Sequence, residues 1–263
     1  MTPRLVACDL DGTLIARDNR LSDRVSAAVE GALAAGIFVV AVTGRPWQWT
    51  LDIARRHHLL PAAVCSNGAV LVDVVTGAVE MTGLADGLVA GLVDRVRDVA
   101  PDVRFAVDGV DSLVQEKGFL DEPFPGAPDI EVPDLTPHLQ RDVVKIISRV
   151  PGMRADTLAA LLDHEVLGGV AVPAHGAGEW VELLPAGVSK ASGLAVLCER
   201  LGVDHHEVVA VGDGWNDLPM LEWAGTAVVM ADAPDEVLAV ADRVVPSSQD
   251  DGVAVLLESF FVG

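Results

Sequence analysis

Four short runs of apolar residues end abruptly in polar residues, and this pattern constrains the fold more than any other feature of the sequence. The runs are Leu5–Cys8, Ile37–Val42, Ala62–Cys65 and Val208–Val211, which lead into Asp9, Thr43, Ser66 and Gly212. Unbroken runs of this length, rich in β-branched residues, indicate strands that are covered on both faces, as in a parallel sheet. The sequence therefore predicts an α/β fold with a doubly wound, Rossmann-like parallel sheet.

The segments between these runs have the spacing and the end signals of helices. Ser22 is a predicted N-cap for a helix that Gly36 closes, and Pro46 suits the first turn of the next helix. Residues 189–201, stopped by Gly202, form a third predicted helix. In doubly wound sheets ligands bind beyond the carboxyl ends of the strands. We therefore expect the polar residues that end the four runs to converge at one edge.

The middle of the chain lacks this pattern. A predicted hairpin over residues 71–80 is followed, from about Gly83 to Trp180, by a mixture of helical and alternating segments. We expect a catalytic core formed by residues 1–82 and 184–263, with residues 83–183 inserted as a second domain. One continuous sheet with long loops remains the alternative.

The charge and the apolar content of the chain exclude several classes of protein. There are 39 acidic and 18 basic residues, with a formal net charge of −21, so we expect neither nucleic-acid binding nor attraction to an anionic membrane. No apolar run approaches the ~20 residues of a membrane span, and the first residues lack the pattern of a signal peptide. Cys8, Cys65 and Cys198 lie far apart and indicate reduced thiols. We expect a cytoplasmic protein, a monomer or a homodimer.

Paired carboxylates follow two of the predicted strands. Asp9 and Asp11 are two residues apart, so extended backbone directs both side chains the same way, and Gly12 permits a turn. Two close carboxylates favour a compensating cation. Asp213, after another strand, adds a carboxylate at the same edge, and Mg²⁺ prefers such oxygen ligands. Asp9 and Asp213 are therefore candidate metal ligands.

Other residues at this edge suit an anion. Thr43, Gly44 and Arg45 join a strand to a helix N-terminus, where free amides, a hydroxyl and a guanidinium are able to bind phosphate. Lys190 lies in the first turn of a predicted helix, where the helix dipole disfavours a cation. A lysine at this position indicates a nearby anion or carboxylate cluster. Asn67, in Ser66-Asn67-Gly68, is a weaker candidate.

Taken together, these segments resemble the Cof-type phosphatases of the haloacid dehalogenase superfamily. The resemblance is carried by Asp9-Leu-Asp11-Gly-Thr13, Thr43-Gly-Arg45, Ser66-Asn-Gly-Ala69, Gly187-Val-Ser-Lys190, Gly212-Asp-Gly-Trp-Asn-Asp217, Leu218-Pro-Met-Leu221 and Asp251-Gly-Val253. It covers residues 1–82 and about 184–263, whereas the middle matches in position and length more than in sequence. Trp215 and the stretch from Met230 to Pro234 depart from the common pattern, away from the residues proposed for chemistry.

The resemblance implies roles for individual residues. Asp9 would be the nucleophile that forms an aspartyl-phosphate, and Asp11 would be the general acid and then the general base. Mg²⁺ would be held by the Asp9 carboxylate, the Asp11 backbone carbonyl and Asp213. Thr43, Gly44 and Lys190 would bind the phosphoryl oxygens.

The resemblance also implies supporting roles and a cap. Asn216 and Asp217 would orient metal-bound water and Lys190, and Arg45 and Asn67 are possible substrate contacts. About a hundred residues separate the hairpin from Leu184. This segment resembles the α/β cap of type C2B, which closes over the site and selects the substrate. Possible contacts within this cap are Asp108, Asp111, Lys117, His138 and His175.

The predicted function is a Mg²⁺-dependent phosphatase of small phosphorylated metabolites, either sugar phosphates or phosphorylated cofactors. A phosphosugar mutase on the same scaffold is the alternative, since it also begins with an aspartyl-phosphate. A catalytically silent protein that binds phosphorylated metabolites is a more remote one, because such a protein has no need of Asp11. Gly212-x-Gly214 superficially matches a dinucleotide fingerprint, but Asp217 stands where that fingerprint needs a small residue.

Overall fold

The chain divides into two compact units. The first consists of Met1–Glu80 with Ser189–Gly263, and the second of Met81–Val188. The computed structural model describes residues 2–16, 21–109, 112–120, 130–139, 142–169, 171–175 and 180–261, with the backbone alone at 164 and 171–175. That residues 83–183 act as a separate, substrate-selecting domain stays a prediction.

Strands and helices alternate from β1 to β3 and from α6 to α9, whereas consecutive strands dominate the part between. The strands are β1 (Leu5–Cys8), β2 (Phe38–Ala41), β3 (Ala62–Cys65), β4 (Val70–Asp73), β5 (Val79–Met81), β6 (Arg104–Gly109), β7 (Leu113–Glu116), β8 (Ile130–Val132), β9 (Val143–Arg149), β10 (Ala171–His175), β11 (Trp180–Pro185), β12 (Val208–Gly212), β13 (Thr226–Met230) and β14 (Arg243–Val245). The helices are α1 (Asp23–Ala34), α2 (Trp47–Arg56), α3 (Val89–Val99), α4 (Ala155–Leu161), α5 (His164–Leu167), α6 (Lys190–Leu201), α7 (Leu218–Trp223), α8 (Asp235–Leu238) and α9 (Gly252–Phe261).

The first unit is built on a five-stranded sheet in the order β14-β13-β12-β1-β2. All of its pairings are parallel, and β1 lies between β12 and β2, with Cys8 level with Val211 on one side and Ala41 on the other. The chain leaves β1 toward β2 on one side and returns through β12 on the other. This is the point at which doubly wound sheets bind their ligands. The predicted fold class is confirmed.

One predicted strand lies outside this sheet. The run Ala62–Cys65 forms β3, which pairs antiparallel with β4 in a separate three-stranded sheet of order β3-β4-β5. A single parallel bridge, between Val42 and Val64, joins it to the end of β2. The prediction that β3 belongs to the main parallel sheet is wrong, because its ladder partner is the hairpin strand β4. The one bridge still brings Ser66 beside Thr43.

Helix ends in the first unit follow the signals in the sequence. The Ser22 side chain accepts a hydrogen bond from the Val25 amide at the start of α1. Ser189 caps α6 and forms a reciprocal capping box with Ser192, and Gly202 ends that helix in the left-handed conformation. The start of α6 is therefore held rigidly, and Lys190 is its first residue.

The second unit packs helices on one face of a six-stranded sheet of order β10-β11-β9-β6-β7-β8. Phe105, Ile146 and Val181 from the strands pack with Leu92 and Leu158 from the helices. Alternation along the strands places polar residues on the opposite face. Among the residues that the structure describes, no helix is long and apolar enough to cross a membrane.

Candidate active site

Asp9 lies at the carboxyl end of β1, in the middle of the parallel sheet. Its backbone amide donates to the Val211 carbonyl at 2.9 Å, which continues the pairing with β12 by one residue. The side chain is buried. Gly12 follows with a φ of +86°, and a Cβ at this position would overlap the Asp213 carboxylate. Glycine therefore permits both the turn and the close approach of the Asp213 loop.

Lys190 extends from the first residue of α6 and lies between two carboxylates. Its Nζ donates to Asp9 Oδ1 and to Asp217 Oδ1, each at 2.5 Å. The side chain is 1 % exposed. A buried ammonium at a helix N-terminus is unfavourable unless it is paired, and these two carboxylates supply the pairing. The expectation that Lys190 lies beside a carboxylate cluster agrees with this geometry.

Asp217 also closes the loop that carries Asp213. Its second oxygen, Oδ2, accepts from the backbone amides of Asp213 at 3.0 Å and Gly214 at 2.8 Å. Thr13 donates from Oγ1 to Asp213 Oδ1 at 2.7 Å. A Cβ at Gly212 would lie 2.6 Å from the Asp217 carboxylate, so the loop needs glycine there. These contacts fix Asp213 beside Asp9.

The predicted phosphate-binding loop is tied to its neighbours through the backbone. The amide of buried Thr43 donates to the Val64 carbonyl at 2.8 Å, and the Thr43 carbonyl accepts from Asn67 at 2.9 Å. The Thr43 Oγ1 accepts from the Arg45 amide at 3.0 Å. Gly44 lies beside the Asn67 side chain. Thr43 and Gly44 thus follow β2 at the same sheet edge as Asp9.

Asp11 and Arg45 form a direct ion pair. Arg45 donates from Nε to Asp11 Oδ2 at 2.8 Å and from Nη2 to Asp11 Oδ1. The Arg45 side chain is 13 % exposed and that of Asp11 is 53 % exposed. Sequence reasoning treats Arg45 as a possible substrate contact and does not anticipate this pairing.

Asn67 lies inside the loop structure. It is 2 % exposed and accepts a hydrogen bond from Asn216 Nδ2 at 3.1 Å. Ser66 and Asn67 both have positive φ values, 49° and 54°. Asparagine tolerates this conformation better than most residues. Asn67 is thus part of a tight turn and contacts Asn216, and its role as a substrate contact stays a prediction.

Burial and charge change the pKa values in this cluster. Burial raises the pKa of Asp9, and the nearby Asp217, Asp213 and Asp11 carboxylates add to the rise while Lys190 opposes it. Burial also raises the pKa of Asp213, to about 6, although the hydrogen bond from Thr13 lowers it. Burial lowers the pKa of Lys190, but Asp217 and Asp9 outweigh it and the net shift is upward. The cluster holds more negative charge than Lys190 neutralises.

Cys8, one residue before Asp9, is not a nucleophile candidate in this geometry. It is fully buried, and burial raises the pKa of its thiol, with a further rise from the Asp9 carboxylate. A thiol that resists ionisation is unreactive. Cys65 and Cys198 are likewise buried and unbridged, as predicted.

The acidic residues of the cluster fit a divalent cation. Asp9, Asp213 and Asp217 each offer a carboxylate oxygen, and these oxygens lie within 4.8 Å of one another. Oxygen ligands of this kind, completed by water and phosphate, are those that Mg²⁺ prefers. Both Asp217 oxygens already accept hydrogen bonds, which favours Asp9 and Asp213 as ligands. The Asp11 carboxylate is paired with Arg45, and the Asp11 backbone carbonyl stays a predicted ligand.

Sequence reasoning named Asp108 but missed Lys145 and Glu182, two polar residues on the sheet of the second unit. Lys145 donates to Glu182 at 2.8 Å, and both are buried, with Asp108 directly opposite Lys145 in the strand pairing. Their strands read as alternating, but alternation does not reveal which polar residues are covered. Of the other cap candidates, Lys117 and His138 are exposed. Asp111 and the side chain of His175 lie outside the described residues.

Comparison with known proteins places this geometry in a family. The family model of haloacid dehalogenase-like hydrolases matches residues 6–257. The chain is 30 % identical over 277 residues to the 5-amino-6-(5-phospho-D-ribitylamino)uracil phosphatase YitU of Bacillus subtilis, covering 98 % of each protein. It is also 30 % identical over 257 residues to a phosphoglycolate phosphatase of Methanothermobacter thermautotrophicus, again with 98 % of each covered.

A solved structure agrees with these relatives. A haloacid dehalogenase-like hydrolase from Bacteroides thetaiotaomicron superimposes with a TM-score of 0.83 at 25 % identity, over 98 % of this chain and 100 % of that one. The resemblance inferred from the motifs is confirmed. The chain belongs to the haloacid dehalogenase-like hydrolase family, as a Cof-type member, and is a phosphoric monoester hydrolase.

Proposed function

We propose that this protein is a Mg²⁺-dependent phosphatase of small phosphorylated metabolites that works through an aspartyl-phosphate on Asp9. The observation that carries the proposal is the position of Lys190, whose ammonium lies 2.5 Å from Asp9 with Asp213 in the same cluster. An anionic nucleophile and an anionic phosphate repel each other. Positive charge held between them lowers that repulsion, and this is most of what phosphoryl transfer requires.

In the first half of the reaction, Asp9 attacks phosphorus and the bond to the leaving oxygen breaks. Asp11 gives a proton to that oxygen. Lys190, Thr43 and the Gly44 amide bind the phosphoryl oxygens as their charge develops. When bound, Mg²⁺ supplies a further positive charge next to the phosphoryl group, with Asp9, the Asp11 carbonyl and Asp213 as its protein ligands.

In the second half, water attacks the phosphorus of the aspartyl-phosphate and the bond to Asp9 breaks. Asp11 accepts the proton from the water. The products are orthophosphate and a regenerated Asp9 carboxylate. A mutase would instead return the phosphoryl group to the sugar.

We propose that the second unit, which contains the predicted cap of residues 83–183, selects the substrate. Caps of the type that this chain resembles have this role. The two named relatives act on a phosphorylated ribitylaminouracil and on phosphoglycolate. Both substrates are phosphate monoesters of small molecules, and the leaving groups that they release differ widely in size. Sugar phosphates and phosphorylated cofactors are the classes that we expect here.

The test is a screen of purified protein against phosphorylated metabolites, with Mg²⁺ and with a chelator. Release of orthophosphate that requires Mg²⁺ supports the proposal. Formation of a phosphate isomer without orthophosphate assigns the mutase reaction. Turnover that is equal in the chelator contradicts the metal dependence.

A further inference from the structure

The carboxylate of Asp11 is bound through both oxygens by one guanidinium. Nε of Arg45 donates to Oδ2 at 2.8 Å and Nη2 donates to Oδ1. This two-point contact fixes the plane of the carboxylate as well as its position. The Asp11 side chain remains 53 % exposed. It is therefore held on one side and open to solvent on the other.

Arg45 is itself held by the loops that build the phosphate site. Its amide donates to Thr43 Oγ1 at 3.0 Å, and its carbonyl accepts from the Ser66 amide at 2.9 Å. The Arg45 side chain is 13 % exposed. Because the backbone of Arg45 is held on both sides, its guanidinium positions a partner more narrowly than that of a mobile surface arginine does.

The contact bears on where the Asp11 carboxyl group lies. Both tasks proposed for Asp11 need this group within hydrogen-bond distance of a reacting oxygen, either the leaving oxygen or the attacking water. A two-point contact that fixes the plane of the carboxylate fixes the direction from which that oxygen meets it.

We propose that Arg45 is a positioning residue for Asp11 and that the hydrolytic half of the reaction reveals this role, an inference that rests on the proposed function. Arg45 holds the Asp11 carboxylate where it takes a proton from the attacking water. The oxygen of that water bonds to phosphorus, the bond from phosphorus to Asp9 breaks with its electron pair returning to the Asp9 carboxylate, and the proton passes to Asp11. Arg45 itself exchanges no proton and makes no bond to phosphorus.

The two halves are separable with p-nitrophenyl phosphate, because p-nitrophenolate leaves without a proton donor. Rapid mixing with Mg²⁺ gives the rate of the first release of p-nitrophenol, and acid quenching traps the phosphoenzyme. In Arg45→Met we expect an unchanged first release and a larger trapped phosphoenzyme fraction. We expect phosphoenzyme breakdown to slow by roughly tenfold or more, within the 10²–10⁴-fold that a general base contributes in total. Arg45→Lys keeps the charge without the two-point contact, and its breakdown rate should lie between those of the other two proteins.

Two further variants test whether Arg45 acts through Asp11. In the Asp11→Asn background, Arg45→Met should cause no additional loss, since there is no base left to position. Arg24→Met breaks a two-point pair with Glu258, between α1 and α9, and should leave both rates unchanged. The amplitude of the first release counts folded, competent sites in every variant.

Three results would overturn the inference because each indicates direct contact with the substrate. They are an equal fall of both rates in Arg45→Met, a rise of KM alone, and a loss that persists in the Asp11→Asn background. Unchanged phosphoenzyme breakdown would also overturn it. The proposed function fails separately, if the unaltered protein forms no phosphoenzyme that depends on Asp9.

Discussion

Lys190 donates a hydrogen bond from Nζ to Oδ1 of Asp9 at 2.5 Å, and both side chains are buried. The contact joins the end of β1 to the first residue of α6, which are 181 positions apart in the chain. The capping box of Ser189 fixes the backbone from which the lysine extends. A charge placed in this way needs no rearrangement when the phosphate binds, which is how preorganised groups lower a barrier.

Asp9→Asn should abolish turnover. The amide keeps an oxygen that accepts from Lys190, so the buried contact survives, but the amide is not a nucleophile toward phosphorus. We expect a loss of at least about 10³-fold in kcat, in line with the removal of other covalent nucleophiles. Orthophosphate release with p-nitrophenyl phosphate measures it. Activity equal to that of the unaltered protein would refute the covalent mechanism, provided that mass spectrometry shows no deamidation back to aspartate.

Lys190→Met should lower kcat by about 10²–10³-fold, the usual effect of removing one group that stabilises transition-state charge. It should also lower the free energy of unfolding by roughly 3–5 kcal/mol, because Asp9 and Asp217 are then buried without their cation. Steady-state kinetics and urea denaturation measure the two effects.

The matched control for this variant is Arg56→Met, which removes a cation from the last turn of α2. Arg56 is exposed, so its loss should change neither quantity by much. Equal effects of the two substitutions on kcat would show that the position of Lys190 has no special part in the reaction.

The stability of the metal-free protein should fall as pH rises from about 4 to above 6. Burial raises the pKa of Asp213 to about 6 from an ordinary value of 3.8. The folded state therefore favours protonated Asp213. The stability that this residue contributes is fully present below its pKa in the unfolded state, and it is lost as pH rises through its pKa in the folded state. The shift corresponds to about 3 kcal/mol. Urea denaturation in a chelator, between pH 4 and pH 7, measures it.

Asp213→Asn removes this titration and should weaken the pH dependence, although Asp9, whose pKa is also raised, retains its own. Added Mg²⁺ should restore stability at pH 7 in the unaltered protein, because a cation binds the ionised carboxylates. Parallel pH curves for the two proteins would contradict the assignment of the titration to Asp213.

Gly68→Ala should impair the site as well as the fold. Gly68 has a φ of +100°, and a Cβ there would overlap the carbonyl oxygen of Ser189, directly before Lys190. Gly36 has a φ of +80° and has nothing near its missing Cβ. Gly36→Ala should therefore cost only the ~1–2 kcal/mol of the left-handed conformation. Gly68→Ala should cost more and should lower kcat by displacing Lys190.

Urea denaturation and steady-state kinetics on the two alanine variants separate the two effects. Gly36→Ala has backbone strain alone, whereas Gly68→Ala has backbone strain and displaces Lys190. If both lost the same stability and neither lost kcat, the packing of Gly68 against Ser189 would have no bearing on catalysis.

Several features of the site were predictable because they depend on local sequence and on a general rule of sheets. Asp9, Thr43 and Asp213 each follow an apolar run, and parallel strands bring their carboxyl ends to one edge. Ser189 and Gly202 signal the ends of the helix that carries Lys190. The order of the motifs then indicated the family, which the relatives confirm.

The sequence by itself determined the element types, the helix ends and the gathering of the run-ending residues, since these follow from periodicity, capping and strand direction. Tertiary structure alone decided the partner of each element and each charge. Whether Ala62–Cys65 joins the main sheet depends on the hairpin strand beside it, and the prediction failed there. The pairing of Arg45 with Asp11, like that of Lys145 with Glu182, depends on the distance between side chains remote in sequence. No local pattern encodes that distance, because it is set by how the whole chain packs.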